Sequence, residues 1–209
     1  MFERDVQSDL DAYIEGWLTE DEFLAKSRPW SNYQDDYRPL IEYAKQKKLT
    51  VIAANIPRSI AGKMARTGPD FTETLAEEDK KWLPDKIDYP DDGYKKAFLA
   101  TLEDMHSPMM NNNPDWLYQA QCLKDETMAE SIVNALKMKP KARVLHFNGD
   151  FHSRNFSGTV SRVQSILPNK KIAVISPSYS ENWQTANLTT EEKKSGTYII
   201  YLPLQGGEQ

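Results

Sequence analysis

The sequence predicts an α/β domain with a mainly parallel sheet and helices on both faces. Two observations carry this. Residues 49–55 (Leu-Thr-Val-Ile-Ala-Ala-Asn) are a short, nearly continuous apolar run, as a strand buried on both faces is, and residues 143–148 (Arg-Val-Leu-His-Phe-Asn) read as a second strand. Between and around them lie segments of helical period, and strands that alternate with helices pair in parallel.

The elements follow in order. Val6, Leu10, Tyr13, Ile14 and Trp17 recur at helical spacing, and Gly16 ends that helix. Thr19-Glu20-Asp21-Glu22 opens a second helix with an acidic first turn, which the helix dipole favours. Residues 34–47 form a third, with Leu40, Ile41, Ala44 and Tyr37 inward. The strand at 49–55 leads through Pro57, suited to a first helical turn, into a helix over 59–66. Residues 68–93, rich in Pro, Asp, Glu and Lys, read as an irregular excursion of a length often used as a lid or binding segment. A helix over 92–105 follows, ended by His106, and then a break at 108–114. A long helix capped by Asp115 reaches about Met138. After the strand at 143–148 come a helix over 156–166, strands at 171–176 and 197–202, and a frayed tail at 205–209. Residues 1–204 are read as one domain.

Composition excludes several classes. A net charge of −5 on 209 residues, with no basic stripe, argues against a nucleic-acid partner. The single cysteine, Cys122, allows neither an internal disulfide nor a thiolate metal site, and reads as a small helix residue. No apolar run is long enough to span a bilayer, and no signal peptide is visible. P-loop, dinucleotide, Gly-x-Ser-x-Gly and His-Glu-x-x-His signatures are missing.

In parallel sheets the ligand crevice lies beyond the carboxyl ends of the strands. Two strands here end in polar segments, Asn55-Ile56-Pro57-Arg58 and Asn148-Gly149-Asp150-Phe151-His152. Gly149 lets the chain turn, so that His152 can ligate a metal, move a proton or hold a ligand; the alternative is a loop histidine satisfied by backbone. His146, inside a strand, reads as a hydrogen-bonded core residue, and His106 as a helix cap. Gln121, Asp125 and Met128 share one face of the long helix, beside the apolar Ala120, Leu123 and Thr127. Asp125 and Glu126 either orient a histidine or arginine in a pocket or belong to a solvated face. Arg58 offers either an anion site or a salt bridge to Asp125 or Glu126. The expectation is one crevice gathering Asn55, Arg58, Gln121, Asp125 and His152.

Five segments together resemble the ChaN-like family of haem-binding, iron-regulated proteins, related to the TraB/TIKI and erythromycin-esterase groups. They are Met1-Phe2-Glu3-Arg4-Asp5-Val6-Gln7, Ser27-Arg28-Pro29-Trp30, Ala53-Ala54-Asn55-Ile56-Pro57-Arg58, Ala120-Gln121-Cys122-Leu123-Lys124-Asp125-Glu126-Thr127-Met128-Ala129 and Gly149-Asp150-Phe151-His152. The resemblance implies haem binding with a tyrosine on the iron, haems held at a homodimer interface, and a ligand set drawn from Arg4, Asn55, Arg58, Gln121, Asp125, Glu126 and His152. Tyr118, one turn before Gln121, is the tyrosine picked for the iron. Arg58 is assigned a haem propionate, and an aromatic wall from 68–93 is assigned the ring. The hydrolytic relatives imply an alternative: a divalent-metal-dependent hydrolase with His152 as ligand or base and Glu3 in support. A degenerate, non-catalytic member is the third reading. Family members begin with a strand and Gly-Glu-x-His, which this sequence lacks. A shortened N-terminus is therefore expected, without the first strands and with a hydrophobic sheet edge left open. A lipoprotein signal, and membrane attachment with it, would have been lost there.

Overall fold

The computed structural model describes residues 2–104 and 113–204. It is an α/β fold in which helices dominate and the sheet is a single parallel pair. The predicted cap at His106 and frayed tail at 205–209 lie outside the described residues.

A 3-10 turn, Arg4–Val6, runs into α1, Gln7–Ile14, which stops before Gly16 at φ +83°. Helix α2, Glu20–Ser27, begins with a capping box, Thr19 accepting from the Glu22 amide while Glu22 accepts from the Thr19 amide at 2.8 Å. A π turn, Tyr33–Tyr37, precedes α3, Arg38–Lys47. Ile41 and Ala44 of α3 are buried, but Leu40, at the margin of their stripe, is exposed. These elements close a first core of Phe2, Val6, Leu10, Tyr13, Phe23, Tyr33, Ile41 and Ala53, with Tyr13 stacked on Phe23 at 4.9 Å.

Helix α4, Arg58–Thr67, packs on α7, Pro114–Met138, through Ile60, Met64 and Leu123. The excursion at 68–93 holds a 3-10 segment, Pro69–Thr74, and the short α5, Glu77–Lys80. It is irregular as expected, yet Phe71, Leu75, Trp82 and Tyr89 turn into the α4–α7 core. That side of the excursion therefore offers no wall to a bound ring. Helix α6, Gly93–Asp104, leads to α7, whose cap is Asn113 and not Asp115: the Asn113 side chain accepts from the Asp115 amide at 2.9 Å. Helix α8, Gly158–Ile166, packs on α7 through Val163 against Ala129 and Val133. No described helix is long and apolar enough to cross a membrane.

The two late strands pair in parallel as predicted, shifted by a few residues: β1, Ile175–Ser180, lies beside β2, Tyr198–Pro203, with α9, Glu192–Ser195, between them in sequence. The two strands read with most weight from sequence form no ladder. Residues 49–55 make only an isolated parallel bridge, Glu3 to Asn55, and 143–148 make none. The reason is the want of neighbours. A strand needs a partner on its hydrogen-bonding edge, and among the described residues these segments have almost none. The Gln7 side chain substitutes along one edge, its amide nitrogen bonding the Val51 carbonyl at 3.0 Å and its oxygen taking the Ala53 amide at 2.7 Å. Ile52, Val144, Leu145 and Phe147 are exposed.

Candidate functional site

Helix α7 organises the polar centre. Leu117, Ala120 and Leu123 bury one side of it, and the i, i+4 spacing sets Gln121 and Asp125 together. Asp125 is fully buried. Its Oδ1 takes His152 Nδ1 at 2.8 Å and the Thr159 hydroxyl at 2.9 Å, and its Oδ2 takes the Tyr94 hydroxyl at 2.7 Å. Three hydrogen bonds to one carboxylate offset much of the cost of burying its charge. Gln121 closes the cluster, its amide nitrogen 3.1 Å from His152 Nδ1, 3.4 Å from His152 Nε2 and 3.2 Å from the Tyr94 oxygen.

His152 reaches this point on a 3-10 turn, Asp150–His152, whose last amide bonds the Gly149 carbonyl. The bend is not made by glycine freedom at Gly149, whose φ of −61° suits any residue. The unusual backbone comes later, at Asn155 (φ +59°), Phe156 (φ +57°) and Gly158 (φ +55°). Gly158 is needed: a Cβ there would lie 2.6 Å from the His152 carbonyl oxygen and 3.0 Å from Asp125 Oδ1. Its bareness lets α8 start hard against the His152–Asp125 pair and deliver Thr159.

His152 keeps 16% of its side chain exposed, while Asp125 keeps none. With Nδ1–H given to Asp125, the ring presents a basic Nε2. The surrounding phenols are held neutral. Burial, and then the Asp125 charge, push Tyr94 far above the usual range. Burial does the same to Tyr118, and raises Tyr89 to about 12. Burial raises Cys122 to about 11, so it is the inert helix residue expected. Neighbouring Glu126 pairs with Arg162 at 2.8 Å. Burial pushes that carboxyl up against the pull of Arg162. Burial likewise pulls Arg162 down, but the charges of Asp125 and Glu126 hold it above its ordinary value.

The predicted residues thus divide. Gln121, Asp125 and His152 meet, and Asp125 and Glu126 are not on a solvated face. Arg58 and Asn55 do not join them. Arg58 is ion-paired with Glu3 and donates to the Arg28 carbonyl at 2.7 Å, and Arg28 bridges Glu3 and Asp5. Arg58 therefore pairs with a carboxylate other than Asp125 or Glu126. Asn55 folds its side chain onto the next amide at 2.9 Å. Arg4 binds the Thr127 carbonyl at 2.8 Å, Ser131, Glu130 at 2.8 Å and the Trp82 carbonyl, a clamp in which each of its three nitrogens has a partner inside the protein. Glu3, held by two arginines, is not beside His152. Tyr118 donates to the Pro90 carbonyl at 2.6 Å and is 1% exposed. His146 is partly buried, as expected, but among the described residues its Nε2 has no hydrogen-bond partner. Sequence reasoning missed Tyr94, Thr159 and Arg162. Only the i, i+3 spacing of the last two on α8 could have placed them on one face.

Among the described residues no group of three or more His, Cys, Asp or Glu side chains is set to hold a metal. A cavity of about 420 Å³ adjoins the cluster, with Tyr94 and Phe151 in its wall. No curated protein and no solved structure matches the chain. A family model described as haem-binding uptake, Tiki superfamily, ChaN matches residues 1–163. That match takes in α1 to α7 and the whole His152–Asp125 cluster, and the chain belongs to this ChaN haem-binding uptake family.

Proposed function

We propose that the chain binds ferric haem for uptake or handling, with His152 Nε2 as the iron ligand. The observation that supports this is the His152–Asp125 pair, in a chain whose family is one of haem binding. A metal-ligating histidine characteristically donates its other ring N–H to a carboxylate, which fixes the tautomer and raises the basicity of the free nitrogen. A proximal histidine is a common haem ligand. The residues fit: a mostly buried imidazole on a buried carboxylate, beside a cavity with Tyr94 and Phe151 in its wall. Gln121 would swing off Nε2 as iron arrives. A tyrosine ligand from this region fits less well, because burial holds Tyr94 and Tyr118 neutral and each already donates its proton. Haem is the cargo in this reading and needs no catalysis.

A haemin titration tests it. At micromolar haemin the Soret band is expected to shift and intensify, and Tyr118→Phe should leave that response unchanged. No spectral change would refute haem binding. A response lost in Tyr118→Phe would move the ligand to that phenol.

The same pair also favours a second reading, hydrolysis of an ester or amide with His152 as general base. Glu3 does not serve there, since Arg28 and Arg58 hold it. An ester screen with metal added, and His152→Ala as the control, separates the two.

A further inference from the structure

We infer that the cavity between the start of α6 and the start of α8 seats the carboxylate-bearing edge of a planar aromatic ligand, with Arg154 as its counter-ion. This deepens the haem reading and rests on it: the ligand edge would be a porphyrin propionate.

The cavity, about 420 Å³, is of a size used for small molecules but takes only part of a porphyrin. Tyr94 and Phe151 stand in its wall. Their rings pack on one another, 5.2 Å apart at 30°, and Phe151 is the less buried of the two. Phe156 lies on the wall too, 40% exposed and carried on a left-handed backbone that bulky side chains adopt only at a cost. The preceding Asn155 shares that conformation. Backbone held this way beside a cavity is where ligand contacts tend to be found.

The polar side of the cavity separates into spent and available groups. Arg162 is spent on Glu126, the Gly158 carbonyl and the Asp88 carbonyl. Asp92, the acidic side chain in the lining, is turned to the Tyr94 and Lys95 amides at 2.8 and 3.4 Å. Arg154 differs. Its side chain is 43% exposed, and among the described residues its guanidinium has one polar contact, Asp150 at 3.2 Å. A guanidinium carries five N–H donors in a fork that matches a carboxylate. Rings on one side and an under-used guanidinium on the other suit an aromatic carboxylate, and Phe151 joins this cavity to His152 by one peptide bond.

The test titrates the full chain with haemin, with iron-free protoporphyrin IX and with protoporphyrin IX dimethyl ester, which lacks the carboxylates. Arg154→Gln should weaken protoporphyrin IX binding about tenfold and leave the ester unaffected. Phe156→Asn removes the ring but suits the left-handed backbone. It should weaken both iron-free porphyrins while the melting temperature holds or rises, which a purely structural role would not produce. If both variants bind protoporphyrin IX as the wild type does, the seat is wrong, even where haemin still gives its Soret shift through His152. If the wild type binds neither haemin nor protoporphyrin IX, the haem reading fails and the seat fails with it.

Discussion

At the scale of single residues, Asp125 carries the most weight. It is a fully buried carboxylate whose partners, Tyr94, Thr159 and His152, all donate to it. Asp125→Asn puts an amide donor among those donors. Such a mismatch leaves buried groups unpaired, and the expected loss is about 2–4 kcal/mol, read from urea unfolding. A loss under about 0.5 kcal/mol would mean that the three bonds do not form together. Helical spacing made Gln121 and Asp125 legible as partners, and the polar strand end made His152 legible. Tyr94 was not, because a tyrosine near a helix start looks the same in sequence whether its hydroxyl meets water or a buried acid. Arg58, the first residue of α4, reads as an anion site or as a partner of Asp125 or Glu126. It forms a salt bridge, but with Glu3, 55 residues earlier, which local sequence does not reveal.

At the scale of elements, the helices and the two late strands were readable, and the runs at 49–55 and 143–148 were not. Periodicity, the Thr19–Glu22 capping box and the long apolar face of α7 are local signals. A ladder is a property of two segments. The runs at 49–55 and 143–148 have the composition of buried strands and lack the neighbours. Between elements, the tightest junction is the start of α8 against His152. Gly158→Ala strains a φ of +55° and drives a Cβ into the His152 carbonyl and Asp125. It should destabilise the fold by more than about 1 kcal/mol and weaken haemin binding with it. Gly149→Ala, where a Cβ meets only a His152 ring carbon at 3.9 Å, should do neither. Equal behaviour of the two variants in thermal melts would remove Gly158 from the account.

At the scale of the whole molecule, His146 links stability to pH. Burial, with His152 nearby, pulls its imidazole down to about 4, and its Nε2 has no partner among the described residues. The folded state therefore resists a proton that the unfolded chain accepts below the ordinary value of 6.5. Stability is full above that value and falls as pH drops toward 4. The shift sets the loss at roughly 3 kcal/mol at most, since the ring keeps some solvent. His146→Leu should flatten this limb in melts run from pH 7 to pH 4. An unchanged limb would assign it to other groups. The α/β class was legible because it follows from the order of patterns along the chain. The division of the expected single crevice into a His152 cluster and a Glu3 cluster was not, because it depends on which charges meet in space.

The claim that His152 holds the iron is tested most directly by chemical rescue. Haemin added to His152→Ala should give no Soret shift, and free imidazole, supplied in millimolar excess, should restore it by filling the space the side chain left. A His152→Ala protein that binds haemin with the wild-type spectrum and affinity would contradict it.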